Sequence, residues 1–245
     1  MSGHSKWANI KHKKGKADAA RGKIFTKLGR EIAIIVRAGG PDPVSNSKLR
    51  DVIAKAKANN MPNDNIQRSI KKASGEDGDA NYVEISYEGY GPAGTAIIVD
   101  CITENRNRTA GDVRHAFEKH GGSLGATGCV SYLFDRKGVL IIENENLDED
   151  EVTLDALEAG ADDVQLNDGV YEILTGPNEL SAVREALEGK YSLSSAQVDQ
   201  IPQNTVAPQG EDLEKLLKII DMLDDLDDVN EVFHNAELPE EEDED

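Results

Sequence analysis

The sequence predicts an α+β protein: a basic three-helix N-terminal domain, then two α/β domains, one a ferredoxin-like βαββαβ unit inserted in the other. Three observations carry this expectation. Apolar residues recur at helical spacing as far as Gly75 and thereafter alternate at the period of a strand. Between Val139 and Ile201 the elements follow the order β, α, β, β, α, β. The helix and strand beyond residue 205 have no domain of their own, so they are assigned to the segment before the insertion. The expected boundaries are 1–79 for the helical domain and 80–135 with 205–236 for the discontinuous middle domain. Residues 136–204 form the insertion and 237–245 a disordered acidic tail.

Residues 1–17 read as a basic arm with Lys6, Lys11, Lys13, Lys14, Lys16, His4, His12 and the only tryptophan, Trp7. Its polarity, with Gly3 and Gly15, predicts a loop or weak helix that is mobile without a partner. A helix follows from about Gly22 to Ala38. Ile24, Phe25, Leu28, Ile32, Ile35 and Val36 share one face, and Lys23, Lys27, Arg30 and Arg37 the other. Gly39-Gly40-Pro41 ends it, since proline cannot continue a helix. A second helix, about Ser47 to Ala58, turns Leu49, Val52, Ile53 and Ala56 inward and Lys48, Arg50, Lys55 and Lys57 outward. Pro62-Asn63 opens a third, with Ile66 and Ile70 inward, Arg68, Lys71 and Lys72 outward, and Gly75 at its close.

Gly75–Asp79 reads as a linker. Val83, Ile85 and Tyr87 then alternate with Glu84, Ser86 and Glu88, the pattern of a strand with one wet face. A near-continuous apolar strand covers Thr95 to Thr103, a helix about Thr109 to Lys119, and a further strand Val130 to Phe134. In the insertion, Val139–Ile142 is a strand and Asp148–Ala159 a helix. Val164–Leu166 and Val170–Thr175 form a hairpin across Asn167-Asp168-Gly169. Pro177–Leu187 is a helix with proline in its first turn, and Ser194–Ile201 a strand. A helix of about Asp212 to Leu226 and a strand from Val229 to His234 complete the chain.

Charge is segregated along these elements. Residues 1–75 carry 17 Lys/Arg and 5 Asp/Glu, a net of +12; the other 170 residues carry 10 and 42, a net of −32. A polyanion responds to local charge, because the Debye length is about 8 Å at physiological salt. A basic head can therefore dock on phosphates while the acidic remainder faces away. No stretch approaches the ~20 apolar residues of a membrane span, and the start lacks the apolar core of a secretory signal; a cytoplasmic protein is expected. Cys101 and Cys129 form no CxxC pair and are expected to be reduced.

Gly89-Tyr90-Gly91-Pro92-Ala93-Gly94 matches GxGxxG literally, but a strand rather than a helix follows, so it reads as a strand connection. Thr103-Glu104-Asn105-Arg106-Asn107-Arg108-Thr109 lies at a helix start, where free N–H groups favour anions. Gly121–Gly128 reads as a flexible loop. Cys101 with His115 or His120 has no third orienting group, and His4 and His12 lack further metal ligands. The chain is therefore expected to be no enzyme and to need no metal or cofactor.

The opening Gly3-His4-Ser5-Lys6-Trp7-Ala8-Asn9-Ile10-Lys11-His12-Lys13-Lys14 resembles the start of the YebC/PmpR family. So do Gly22-Lys23-Ile24-Phe25-Thr26-Lys27, Glu104-Asn105-Arg106-Asn107-Arg108-Thr109 and the Gly-Gly-x-Leu-Gly loop at 121–125. The resemblance implies a basic helical domain and two α/β domains, one inserted in the other, and a role in gene expression. Bacterial members are described as transcriptional regulators that bind promoter DNA. Others, with the mitochondrial translational activator of cytochrome c oxidase, act with the ribosome and assist elongation through proline-rich stretches.

Two functions follow. The first is a DNA-binding transcriptional regulator, against which the sequence shows no clear helix-turn-helix pattern. The second is a translation factor on ribosomal RNA, which the arm and the two loops would suit, since irregular RNA is read by shape and stacking. The expected nucleic-acid contacts are Lys6, Trp7, Lys11, His12, Lys13, Lys14, Lys16 and Arg21 of the arm and the first helix start. Lys23, Lys27 and Arg30 join them from the helix face, and Asn105, Arg106 and Arg108 from the loop.

Overall fold

The computed structural model describes residues 17–75, 81–143, 147–167 and 169–239, with the backbone alone for 17–21. Among them lie seven α-helices and two four-stranded sheets. The helices α1 (Ala17–Gly39), α2 (Ser47–Ala58) and α3 (Asn63–Ser74) form the N-terminal helical domain. The first sheet has the order β3-β1-β2-β8: β1 is Val83–Tyr90, β2 Ala96–Thr103, β3 Ser123–Leu124 and β8 Val229–His234. The second has the order β5-β6-β4-β7: β4 is Phe134–Glu143, β5 Asp163–Asn167, β6 Val170–Thr175 and β7 Leu193–Pro202. The remaining helices are α4 (Arg106–Lys119), α5 (Glu149–Ala159), α6 (Leu180–Glu188) and α7 (Gly210–Asp224). With the element order β4-α5-β5-β6-α6-β7, the second sheet is the ferredoxin-like unit the sequence predicts, and β8 joins β2 from the far side of the insertion.

The chain forms two compact units, one with residues 35–75 and 136–200, the other with 21–34, 76–135 and 201–239. In the first, Leu140, Ile142, Tyr171 and Ile173 of the sheet pack against Val152 and Ala156 of α5 and Leu180, Val183 and Leu187 of α6. Each valine, leucine or isoleucine among them contributes about 1.5–3 kcal/mol on burial. Asn46 ties the start of α2 to the end of α1. Its side chain accepts from Leu49 N (3.1 Å) and donates to Ile35 O (3.2 Å) and Gly40 O (2.9 Å), so a buried amide caps one helix and closes the other. Residues 59–62 join α2 to α3, the connection length of a helix-turn-helix, which the sequence pattern does not disclose. On α2, Asp51 receives Ser181 Oγ (2.5 Å) and Arg184 Nε (3.1 Å) from α6.

In the second unit, α4 and α7 cover one sheet face through Val113, Phe117, Leu216, Ile219 and Leu223, on Ile97, Val99 and Cys101. Ala96 and Ile98 on the other face meet Val130 and Phe134. Gly89-Tyr90-Gly91-Pro92-Ala93-Gly94 is a strand connection. A side chain at Gly89 would come within 2.5 Å of Ser123 O, so the glycine permits β3 to pair there.

Several expectations are corrected. The predicted strand Val130–Phe134 is a 3-10 turn, Ser131–Leu133, and β4 begins only at Phe134. The cause is Glu88, whose carboxylate accepts from Gly128 N (2.8 Å), Val130 N (2.9 Å) and Ser131 N (2.8 Å), donors that a ladder would need. The same contacts, with Gly125 N on Glu88 O (2.8 Å), tie down the loop predicted to be flexible. Helix α4 starts at Arg106, three residues early, because Asn105 rather than a later residue is its cap. Helix α6 starts at Leu180, since Glu179 N turns back to Gly176 O (3.1 Å) and leaves Pro177 in a turn. The tail predicted to be disordered from 237 is held at its start: Glu237 N donates to Val206 O (2.8 Å), and Leu238 packs on the core. Residues 240–245 and Asp168 of the hairpin turn lie outside the described residues.

Burial by itself would raise the Glu88 carboxyl, but its three backbone N–H donors outweigh that and hold it below the usual range. Its contribution to stability is thus complete above the unfolded glutamate value of about 4.3 and is lost as pH falls through the lower folded value. Glu88→Ala is expected to cost about 3 kcal/mol at neutral pH in urea unfolding, with faster amide exchange at Gly128, Val130 and Ser131. The acid limb of the stability profile should flatten in the variant.

Candidate nucleic-acid interface

Lys23, Lys27 and Arg30 of α1 face the end of α7. Lys27 Nζ donates to Asp224 O (2.7 Å), and Lys23 Nζ to Asp225 O (3.2 Å) and Oδ1 (2.9 Å). Arg30 Nη1 donates to Asp227 O (2.6 Å) and Asp228 Oδ1 (2.8 Å), and its guanidinium lies 5.6 Å from the Tyr82 ring centre. The last carbonyls of a helix lack partners within it and carry the negative end of its dipole. The run Asp224, Asp225, Asp227, Asp228 adds carboxylates at the same place, so α1 meets an anionic surface built by the chain itself.

Asp228 is the centre of this arrangement. Its other oxygen, Oδ2, accepts from Arg108 Nη2 (2.7 Å) and Thr109 Oγ1 (2.8 Å), with Thr103 Oγ1 at 3.2 Å. Its backbone oxygen accepts Ile102 N (2.8 Å). The residue is buried, which taken alone would raise its carboxyl; the hydrogen bonds from Arg108 and Thr109 and the charges of Arg108 and Arg30 hold it below the usual range. An open cleft of about 490 Å³ lies over it, lined by Lys23, Arg30 and Arg108 with Glu104, Asp112 and Asp225.

Of the residues singled out from the sequence, Lys23, Lys27, Arg30 and Arg108 thus share one cluster, each with an acidic-loop partner. Asn105 stands beside them, its side chain used as the α4 cap, accepting from Arg108 N (3.1 Å). Arg106 is exposed in the first turn of α4, its carbonyl accepting Tyr87 Oη (3.2 Å). Lys6, Trp7, Lys11, His12, Lys13, Lys14, Lys16 and the Arg21 side chain lie outside the described residues. Cys101 is buried in β2, and burial first, then Asp100 and Asp228, push its thiol up to about 12, which keeps it protonated and unreactive at neutral pH. Among the described residues no His/Cys/Asp/Glu group has a metal-binding arrangement.

A second set of cations is not engaged in this way. Lys48 and Lys57 of α2 and Arg68, Lys71 and Lys72 of α3 are exposed, and their side chains make no hydrogen bond or ion pair to a described residue. Arg50 differs: it is held by Glu185 Oε1 (2.6 Å) and Pro43 O (2.7 Å). The helical period already turned these five cations outward in the sequence; nothing there marked them as more available than Lys23 or Arg30.

Residues 5–76 match the family model described as the TACO1/YebC protein N-terminal domain, and residues 82–236 that described as the TACO1/YebC second and third domain. A "Probable transcriptional regulatory protein" of Ruminiclostridium cellulolyticum is 65% identical over 207 residues, 84% of either chain. Another so named, from Thermoanaerobacter pseudethanolicus, is 55% identical over 246 residues and the full length of both. A crystal structure of a conserved hypothetical protein, Aq1575, from Aquifex aeolicus superimposes with a TM-score of 0.86 at 48% identity, covering 97% of this chain and 98% of that one.

Removing the Asp228 carboxylate strands Thr109 and two guanidinium groups. Asp228→Ala is expected to lower the unfolding free energy by about 3 kcal/mol at pH 7. Because the folded carboxyl is held low, the stability it supplies is present above the unfolded aspartate value of about 3.9 and disappears as pH falls through the folded value. Wild type and variant should therefore converge in acid, as followed by urea denaturation at stepped pH.

Proposed function

The chain belongs to the TACO1/YebC family, and from that premise we propose that it is a nucleic-acid-binding regulator of gene expression, acting on DNA as a transcriptional regulator. One observation supports the reading most: five cations on α2 and α3 are exposed and unengaged, whereas Lys23, Lys27 and Arg30 of α1 are held at residues 224–228. Cations held by carboxylates release no phosphate counterions; free ones do, and that release drives association with a polyanion. The names of the bacterial relatives agree with regulation of transcription. The reading assigns the chain no catalytic role or cofactor and places it in the cytoplasm with its partner. No described helix is long and apolar enough to cross a membrane.

A second reading, a translation factor on ribosomal RNA, draws on the other unit. There Arg106 is exposed at the start of α4, and Tyr132, 65% exposed, follows the glycine-rich loop. An exposed ring and a cation at a helix start suit unpaired bases and a bent backbone. Crosslinking in cells, with both nucleic acids sequenced, separates the two. Enrichment at promoters supports the first reading, and enrichment on large-subunit ribosomal RNA the second.

Binding to duplex DNA should weaken with salt. Engagement of five phosphates predicts a slope of log K against log salt near about −4.5. Lys57→Gln with Lys71→Gln and Lys72→Gln should reduce its magnitude by about 2.7. Lys23→Gln with Lys27→Gln should change it far less, since Lys23 is already held by the Asp225 carboxylate and Lys27 by the Asp224 carbonyl. Fluorescence anisotropy across a salt series measures all three proteins.

A further inference from the structure

We infer that α3 is a base-reading helix that enters the major groove of duplex DNA, with α2 as the supporting helix of a helix-turn-helix. This rests on the nucleic-acid reading above and gives it a site and a mode. The connection is a built turn. Asn60 takes a left-handed conformation (φ 58°), which asparagine tolerates, and Met61 N donates back to Ala56 O (2.9 Å). Met61 is buried, 6% exposed.

The two helices have different surroundings. Helix α2 is anchored to α6 through Asp51 with Arg184 and Arg50 with Glu185. Helix α3 buries Ile66 and Ile70 and exposes one stripe along its whole length: Asn63, Asp64, Gln67, Arg68, Lys71 and Lys72. The order of chemistry along that stripe matters. Its N-terminal half carries the amides of Asn63 and Gln67 and the Arg68 guanidinium, the types that bond adenine and guanine edges in pairs, with the Asp64 carboxylate, a type that accepts from the cytosine amine. Its C-terminal half carries lysines, which hold phosphate and carry no sequence information. In helix-turn-helix proteins the N-terminal residues of the second helix meet the bases, as this order requires. Gln67 and Arg68 make no side-chain bond to a described residue, so reading a base breaks nothing within those residues. The occupant is DNA rather than RNA, because an A-form major groove is too deep and narrow for side chains to read.

The test uses the full-length protein and two probes, a pool of duplex DNA with a 20-base-pair random core and a pool of RNA hairpins of equal length. The wild type is expected to enrich a short DNA motif. Gln67→Ala with Arg68→Ala should lose about ten- to hundredfold discrimination at one or two positions with an unchanged melting curve, and should weaken binding to unselected DNA by no more than the one cation it removes. Lys71→Ala with Lys72→Ala should weaken all sequences alike. Enrichment that survives the Gln67/Arg68 change overturns the inference, as does DNA binding with no preferred sequence or preference for the RNA pool; in each case nucleic-acid binding itself stands. Failure to retain either pool at low salt overturns both the inference and the reading it rests on.

Discussion

A single buried carboxylate, Asp228, organises the second unit. It stands at the turn between α7 and β8, and through its side chain and carbonyl it reaches the end of β2, the first turn of α4 and the face of α1. Few alternatives are open to a buried carboxylate: desolvation costs it several kcal/mol unless donors surround it. Here two guanidinium groups and a threonine hydroxyl supply them. The end of β2, the first turn of α4 and the face of α1 are thereby fixed to the turn between α7 and β8, and the cleft above that point takes its shape from them.

The same contacts redistribute the charge available to a partner. Read along the chain, the first 75 residues are uniformly basic. In the folded protein Lys23, Lys27 and Arg30 of α1 face the carbonyls and carboxylates of residues 224–228, while Lys48, Lys57, Arg68, Lys71 and Lys72 of α2 and α3 stay free among the described residues. Net charge along a sequence is a sum, but a phosphate responds to the potential within about a Debye length. It is the pairing, more than the sum, that selects the surface.

Glu88 repeats the principle on a smaller scale. One carboxylate gathers three backbone N–H groups and turns a segment with strand composition into a packed 3-10 turn. In a protein with only 11 aromatic residues among 245, carboxylates with several donors complement a core of aliphatic side chains, and both of these hold connections that apolar packing would leave loose.

Apart from β3 and the turn before β4, the sequence by itself determined the element order, the ferredoxin-like insertion and the return of the last strand to the middle sheet, because periodicity and turn residues report local geometry. It set Asn105, Arg106 and Arg108 in the approach to a helix that begins at Arg106, and it turned Lys48, Lys57, Arg68, Lys71 and Lys72 outward, as they stand. It could not tell which cations stay free, since Lys23 meets Asp225 across 202 residues and no local pattern records that. Nor did it reveal the turn at Asn60, whose left-handed backbone is allowed to asparagine but not demanded by it. Tertiary structure decided both, because partners for charge are chosen by proximity in space, and spacing along a chain encodes only the faces of its own helices and strands.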